Sequence, residues 1–199
     1  MKRAKVSQSS IGLRVKTGRA IAVVLGGPIE APHVLLRAEL NLTDSKRPAT
    51  AQPYHEFLDL PWDRTEIEVK PIAIAIAKVA TSSLKEVVDQ MLTRDLKIRH
   101  AGIVGAPARD LRKIGSTHIR AHAAEGVLFR EVLETAAERN HLEFRSFPER
   151  EIEKLAASEL GCSLTDLAEQ IVEIGRAWGR PWRADEKLAA MAAWLMLRV

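Results

Sequence analysis

The segment from Ile11 to Leu25 constrains the fold most. It opens with alternation, Ile11, Leu13 and Val15, and resumes as an unbroken apolar run, Ala20-Ile21-Ala22-Val23-Val24-Leu25, closed by Gly26-Gly27-Pro28. Alternation is the period of a half-buried strand, and a short continuous run ended by a turn fits a strand covered on both faces. The run is far short of the roughly 20 apolar residues that a membrane-spanning helix needs. Lys2, Arg3 and Lys5 imitate the basic start of a signal peptide, but Gln8, Ser9, Ser10, Gly12, Arg14 and Lys16 intervene, so neither a signal peptide nor a membrane span is predicted. The segment reads as a strand, bent or hairpinned at Thr17-Gly18.

The rest of the chain surrounds this strand. His33 to Leu42 alternates at its end and reads as a second strand, antiparallel to the first because the connection is short. Thr43 to Pro61 reads as a loop with one short strand near Gln52 to Phe57. Glu66 to Asp95 fits two periods: Ile72, Ile74 and Ile76 alternate, while Ile72, Ile76, Val79, Val87 and Met91 share a helix face. The interleaved alanines favour one long helix, bent near Pro71, with strand-then-helix left open and a capping box at Ser83 as its helix start. His100 to Pro107 reads as a buried strand. Ser116 or Thr117 caps a helix to about Asn140, Leu142 to Phe147 is a strand, a helix fills Glu149 to Leu160, Ser163 or Thr165 caps a helix to about Trp178, and a last helix fills Ala184 to Leu197. Antiparallel strands followed by strand–helix alternation predict an α/β fold, a mixed central sheet flanked by helices.

With 199 residues, 46% of them hydrophobic, the chain supports one domain over residues 1–199, with residues 1–10 expected as a flexible basic tail. The single cysteine, Cys162, excludes an intramolecular disulfide and any cysteine-based zinc cluster, and makes the cytoplasm the expected compartment. The net charge of +4 is unevenly placed: Lys2, Arg3, Lys5, Arg14, Lys16 and Arg19 precede the first acid, Glu30. Such an excess suits a polyanionic partner.

Three stretches resemble one family. They are Ile11-Gly12-Leu13-Arg14-Val15-Lys16-Thr17-Gly18 with the apolar run after it, Leu84 to Val104, and an ending that runs from Phe147-Pro148-Glu149 to Asp185-Glu186-Lys187-Leu188-Ala189-Ala190-Met191-Ala192. The chain resembles the RNase H-like fold, in its RuvC-type Holliday junction resolvase branch. The resemblance implies a nucleic-acid partner, branched DNA among the possibilities, and a homodimer. It also implies Mg²⁺ or Mn²⁺ held by carboxylates on the first strand, at the fourth strand and at the start of the last helix, because a hard octahedral ion takes oxygen ligands and a paired site stabilises attacking and leaving oxygens. Here the first-strand position is Arg14, Gly102 to Gly105 holds no acid, and only Asp185 and Glu186 stand where ligands belong. A unit charge about 4 Å from another interacts by roughly 4 kcal/mol at an effective dielectric near 20, so a cation facing Mg²⁺ is repelled by about twice that. The expectation is a degenerate or rebuilt nuclease centre on a nucleic-acid-binding fold.

Arg14, Lys16 and Arg19 form a candidate phosphate-binding stripe, since guanidinium forks match phosphate oxygens; the other reading is the solvent face of a strand. Arg109, Arg112, Lys113, His118 and Arg120 sit at a helix start, opposed only by Asp110. A helix N-terminus attracts anions, so cations there suit a bound one. His118, His122 and Glu125, at i, i+4 and i+7, share a helix face and suit either a metal or a packed helix–sheet seam, with His55 within conceivable reach. The rival expectation is an active nuclease with a displaced set, Glu125, Asp185 and Glu186 with His122. Asp185 and Glu186 also suit the helix dipole alone. Trp178, Trp182 and Trp194 read as core and rim packing.

Overall fold

The computed structural model describes residues 7–199. The opening segment forms a hairpin, β1 (Ser7–Lys16) and β2 (Arg19–Gly26), turning at Thr17-Gly18, and β3 (His33–Asn41) adds to it antiparallel. A single helix, α1 (Trp62–Leu92), then leads to β4 (Leu96–Gly105), which pairs parallel to β1. Helix α2 (Thr117–Arg139) crosses over to β5 (Glu143–Pro148), parallel to β4. The sheet order is β3-β2-β1-β4-β5, and α3 (Ile152–Leu160), α4 (Leu164–Trp178) and α5 (Ala184–Met196) complete the chain. Ser116 and Ser163 cap α2 and α4 as N-cap hydroxyls accept from the backbone of the first turn. No helix among the described residues is long and apolar enough to cross a membrane.

Side-chain alternation sorts the sheet into two faces. Ile11, Leu13 and Val15 point with Ala20, Ala22, Val24 and Ile103 into a core closed by Ile76, Leu84 and Met91 of α1 and Phe129 and Leu133 of α2. Val23, Leu25 and Val104 point the other way, to Ile152 of α3, Leu167 and Ile171 of α4 and the alanine-rich α5. Burial on both faces explains why β2 reads as a continuous apolar run. On β1 the residues facing α5 are Ser10, Gly12 and Arg14. The Ser10 hydroxyl donates to the Ala193 carbonyl (2.5 Å). A Cβ at Gly12 would be driven into the Ala189 carbonyl oxygen, and one at Gly102 would lie 2.6 Å from that of Ala192. The helix rests directly on the backbone of β1 and β4, which only glycine permits.

Two expectations need correction, and one alternative left open is closed in favour of the single helix. Ser7 to Ser10 belong to β1 rather than to a tail: they pair with β4, and Ser9 and Ser10 are buried. Lys2, Arg3 and Lys5 lie outside the described residues. The short strand near Gln52 to Phe57 is replaced by two 3₁₀ turns, Pro48–Thr50 and His55–Phe57, with the buried Thr50 hydroxyl accepting from the Asp44 amide (2.9 Å) and donating to the Arg47 carbonyl (2.7 Å). The strand-then-helix alternative for Glu66 to Asp95 fails because burial follows the helical period, Val69, Ile76, Ala80, Leu84, Val87 and Met91, whereas Ile74 is exposed. Pro71 is tolerated inside α1 because it lies on the exposed face, where water can take the Ile67 carbonyl that its missing N–H leaves unpaired.

Gly12→Ala is expected to lower stability by about 3 kcal/mol or more, since neither the Ala189 backbone nor β1 can yield. Gly115→Ala, where an added Cβ meets nothing within 4 Å, is expected to stay within about 0.5 kcal/mol of the parent chain. Denaturant melts of the two variants check this, and equal effects would contradict the close approach of α5.

Candidate functional site

Where β1 passes under the start of α5, four charges meet. Arg14 faces α5 two residues beyond Gly12 and is only 6% exposed. Its Nη2 lies 2.5 Å from Glu149 Oε1, its Nε 3.5 Å from Asp185 Oδ1, and its Nη1 donates to the Val15 carbonyl (2.7 Å). Lys16 Nζ reaches the same Asp185 oxygen at 3.4 Å. Asp185 is placed by the helix that Gly12 admits. Glu149 is placed by the end of β5, where its amide donates to the Gly105 carbonyl (3.2 Å). Two cations and two carboxylates thus close a cluster with no net formal charge.

The donor set does not fit a paired Mg²⁺ or Mn²⁺ centre. Such ions need carboxylate oxygens facing one another across open space, and here both carboxylates already face the Arg14 guanidinium. By the sequence resemblance Arg14 stands at the expected acid position; the register pairs Arg14 with Ile21 and Val104. What the sequence did not reveal is Glu149, which the fold brings across from the end of β5.

The other predicted residues fall into separate groups. Arg19 sits on the hairpin with Glu39 at 3.5 Å, so Arg14, Lys16 and Arg19 do not form an open stripe of free cations. Arg112 is held by Asp63 (3.2 Å) and Glu66 (3.1 Å), and Lys113 by Asp110 (3.6 Å). Arg120 donates to the Ile114 carbonyl (2.8 Å) and lies over the Trp62 ring, 5.3 Å from its centroid. Arg109 is exposed and pairs with no acid among the described residues. The displaced nuclease set is not gathered. Glu125 is fully buried in the α2 layer and meets His55 Nδ1 at 2.7 Å, Glu186 accepts from the Arg183 amide (2.9 Å), and only Asp185 belongs to the Arg14 cluster. His122 lies with His55 and His118 on the α2 side of the sheet, ring centroids 4.4 to 5.0 Å apart.

A basic groove, not singled out in the sequence, runs between α4 and α5. About 860 Å³ in volume, it is lined by Arg176, Arg180, Pro181, Trp182, Arg183 and Lys187 among others, with no acid in its wall. Trp182 is fixed by donating to the Ile171 carbonyl (2.9 Å) and by packing against Gly175, and the Arg37 guanidinium donates to the Pro181 carbonyl at the rim. Trp194 is core, as expected, and donates to the Ile29 carbonyl (2.8 Å), whereas Trp178 is exposed rather than packed. The available signal was the spacing of Arg176, Arg180, Arg183 and Lys187, four cations within twelve residues.

No protein-family model and no curated protein match the sequence. Solved structures do. A Thermus thermophilus RuvC structure superposes with a TM-score of 0.55 and 9% identity over 94% of this chain and 92% of that one. T. thermophilus RuvC in complex with a Holliday junction substrate gives 0.53 and 8%, over 94% and 91%. The chain has the RNase H-like fold of RuvC. Within that fold, the Arg14 cluster stands at the first strand and the last helix, where the resemblance placed the carboxylates of the nuclease centre.

Two measurements probe these surroundings. Arg14→Asp leaves three carboxylates together and is expected to cost about 2 kcal/mol in chelator, with millimolar Mg²⁺ restoring most of it through differential binding to the folded state. The parent chain should show no such Mg²⁺ response in a thermal melt. Tyr54, the single tyrosine, stacks on Trp62 at 5.5 Å. Burial first, then the charges of Glu66, Glu131 and Glu125, push its hydroxyl from 10.0 up to about 12. The unfolded chain releases this proton first, so the contribution to stability is complete below about pH 10 and is lost as the pH rises toward 12. Ultraviolet tyrosinate titration of native and denatured protein should give two separated midpoints, and coincident ones would contradict this environment.

Proposed function

We propose that the protein binds nucleic acid, with branched DNA as the favoured class, and that it holds this partner without cutting it. The observation that carries the reading is the buried Arg14 between Glu149 and Asp185. A neutral ion-pair cluster replaces the open carboxylate set that metal-dependent phosphodiester cleavage requires, and the fold keeps its architecture around it. Two further observations support the reading. One is the likeness to RuvC, which has been captured with a Holliday junction substrate. The other is the groove lined by four cations, of which Arg176 is paired with Glu173.

Guanidinium and ammonium groups in such a groove displace counterions from phosphates, so affinity falls steeply with salt, by a log–log slope of about −0.9 for each phosphate neutralised. Trp182, half-buried in the groove wall, sets an aromatic ring beside those cations, a combination suited to unpaired bases near a branch point.

Fluorescence anisotropy with four-way junction, duplex and single-stranded DNA across salt tests the proposal. The junction is expected to bind best, and Arg180→Ala, Arg183→Ala and Lys187→Ala are each expected to weaken binding to all DNAs and to reduce the salt slope by about one. Incubation with Mg²⁺ or Mn²⁺ is expected to leave the strands intact. No affinity for any DNA at low salt would overturn the binding claim. Metal-dependent cleavage abolished by Asp185→Asn would overturn the non-cutting claim and restore the displaced-site nuclease.

A further inference from the structure

From the opposite face of the sheet we infer that His55, His118 and His122 form a binding site for a divalent transition-metal ion of the zinc type, with Glu125 as the carboxylate that orients His55. One ring nitrogen of each histidine lies within 4.8 Å of those of the other two. His118 and His122 come from the first two turns of α2, one turn apart on the same face, and His55 is delivered by the 3₁₀ turn His55–Phe57. The rings meet edge to face, at interplanar angles of 61° to 85°, rather than stacking.

The buried end of the cluster carries the argument. Glu125 is fully buried, and its Oε1 lies 2.7 Å from His55 Nδ1. A carboxylate only accepts hydrogen bonds, so this contact makes Nδ1 the protonated nitrogen and leaves a lone pair on Nε2. That Nε2 is itself buried without a hydrogen-bond partner, and so is Glu125 Oε2. A buried charge and a buried lone pair, each incompletely satisfied, are costly together. An ion on Nε2 would take that lone pair and set a positive charge against the Glu125 carboxylate, through the carboxylate–histidine–metal relay that commonly fixes the tautomer and raises the basicity of a ligating imidazole.

Imidazole nitrogen selects zinc-like ions over Mg²⁺, which prefers oxygen. Three histidines around a tetrahedral ion leave one position for solvent, and His118 and His122 are exposed, so that position opens outward. Nitrogens on a common Zn²⁺ stand about 3.4 Å apart, so binding draws the three rings together from nitrogens that lie within 4.8 Å of one another. The site is separate from the Arg14 cluster, which uses none of these residues and lies against α5.

The test uses the full chain stripped with EDTA and desalted. Titration with Zn²⁺ against a chromophoric chelator should show one equivalent bound at micromolar affinity or tighter, and Co²⁺ should give the intense visible bands of tetrahedral coordination. His118→Ala and His122→Ala, both at exposed positions, should retain the parent circular dichroism spectrum and melting temperature while losing at least a hundredfold in affinity. Glu125→Gln should weaken Zn²⁺ by about 10- to 100-fold. Failure to bind Zn²⁺, octahedral Co²⁺ spectra, or a stoichiometry and affinity unchanged in the His118→Ala/His122→Ala double variant would each overturn the assignment. DNA binding measured on the same EDTA-treated protein reads the proposed function separately, so either can fail without the other.

Discussion

The rest of the structure depends on the seating of α5 directly on the backbone of β1 and β4. Gly12 and Gly102 provide the flat floor, and Ala189, Ala192 and Ala193 the flat underside of the helix. The contact is made of backbone and methyl groups, so it leaves no slack: the helix cannot slide or rise without losing dispersion contacts along its whole length. That rigidity fixes where the helix begins, and so places Asp185 above Arg14. It also sets α4 and the Gly179-Arg180-Pro181 connection against α5, which opens the basic groove.

On this scaffold a single side chain changes the chemistry available. An acid at residue 14 would make the cleft a place for hard cations. The guanidinium instead draws Glu149 and Asp185 inward and ties the end of β5 to the start of α5. An ion pair of this kind is weak evidence for stability, because desolvation offsets much of the attraction. Its better-supported effect is positional, since three elements from distant parts of the chain share one fork of donors.

Much of this was legible in the sequence, for local reasons. The hairpin follows from the alternation of Ile11, Leu13 and Val15 and the turn at Thr17-Gly18, and the starts of α2 and α4 follow from Ser116 and Ser163, because strand period and N-caps are written within a few residues. Arg14 could be placed because a strand's period of two fixes the face of every residue once one is known. What was hidden depends on pairs far apart in sequence. Nothing near Glu149 announces Arg14, and nothing near His55 announces Glu125, since a loop's path is set by what it packs on. The groove was hidden for another reason: Arg176 to Lys187 spans two helices and a turn, and no single period describes it. The dual pattern of Ile72, Ile74 and Ile76 was resolved only by burial.

The Ser10–Ala193 hydrogen bond joins residues 183 apart in the chain. The parallel pairing of β1 with β4 likewise waits on everything between them. Loop closure on this scale must be met before the contacts it enables are formed, which places such a topology among slow folders. During synthesis the β1–β2–β3 hairpins can form early, yet the face of β1 that carries Gly12 and Arg14 stays uncovered until α5 emerges. The chain therefore carries, for most of its assembly, an apolar sheet surface with a charged residue at its rim.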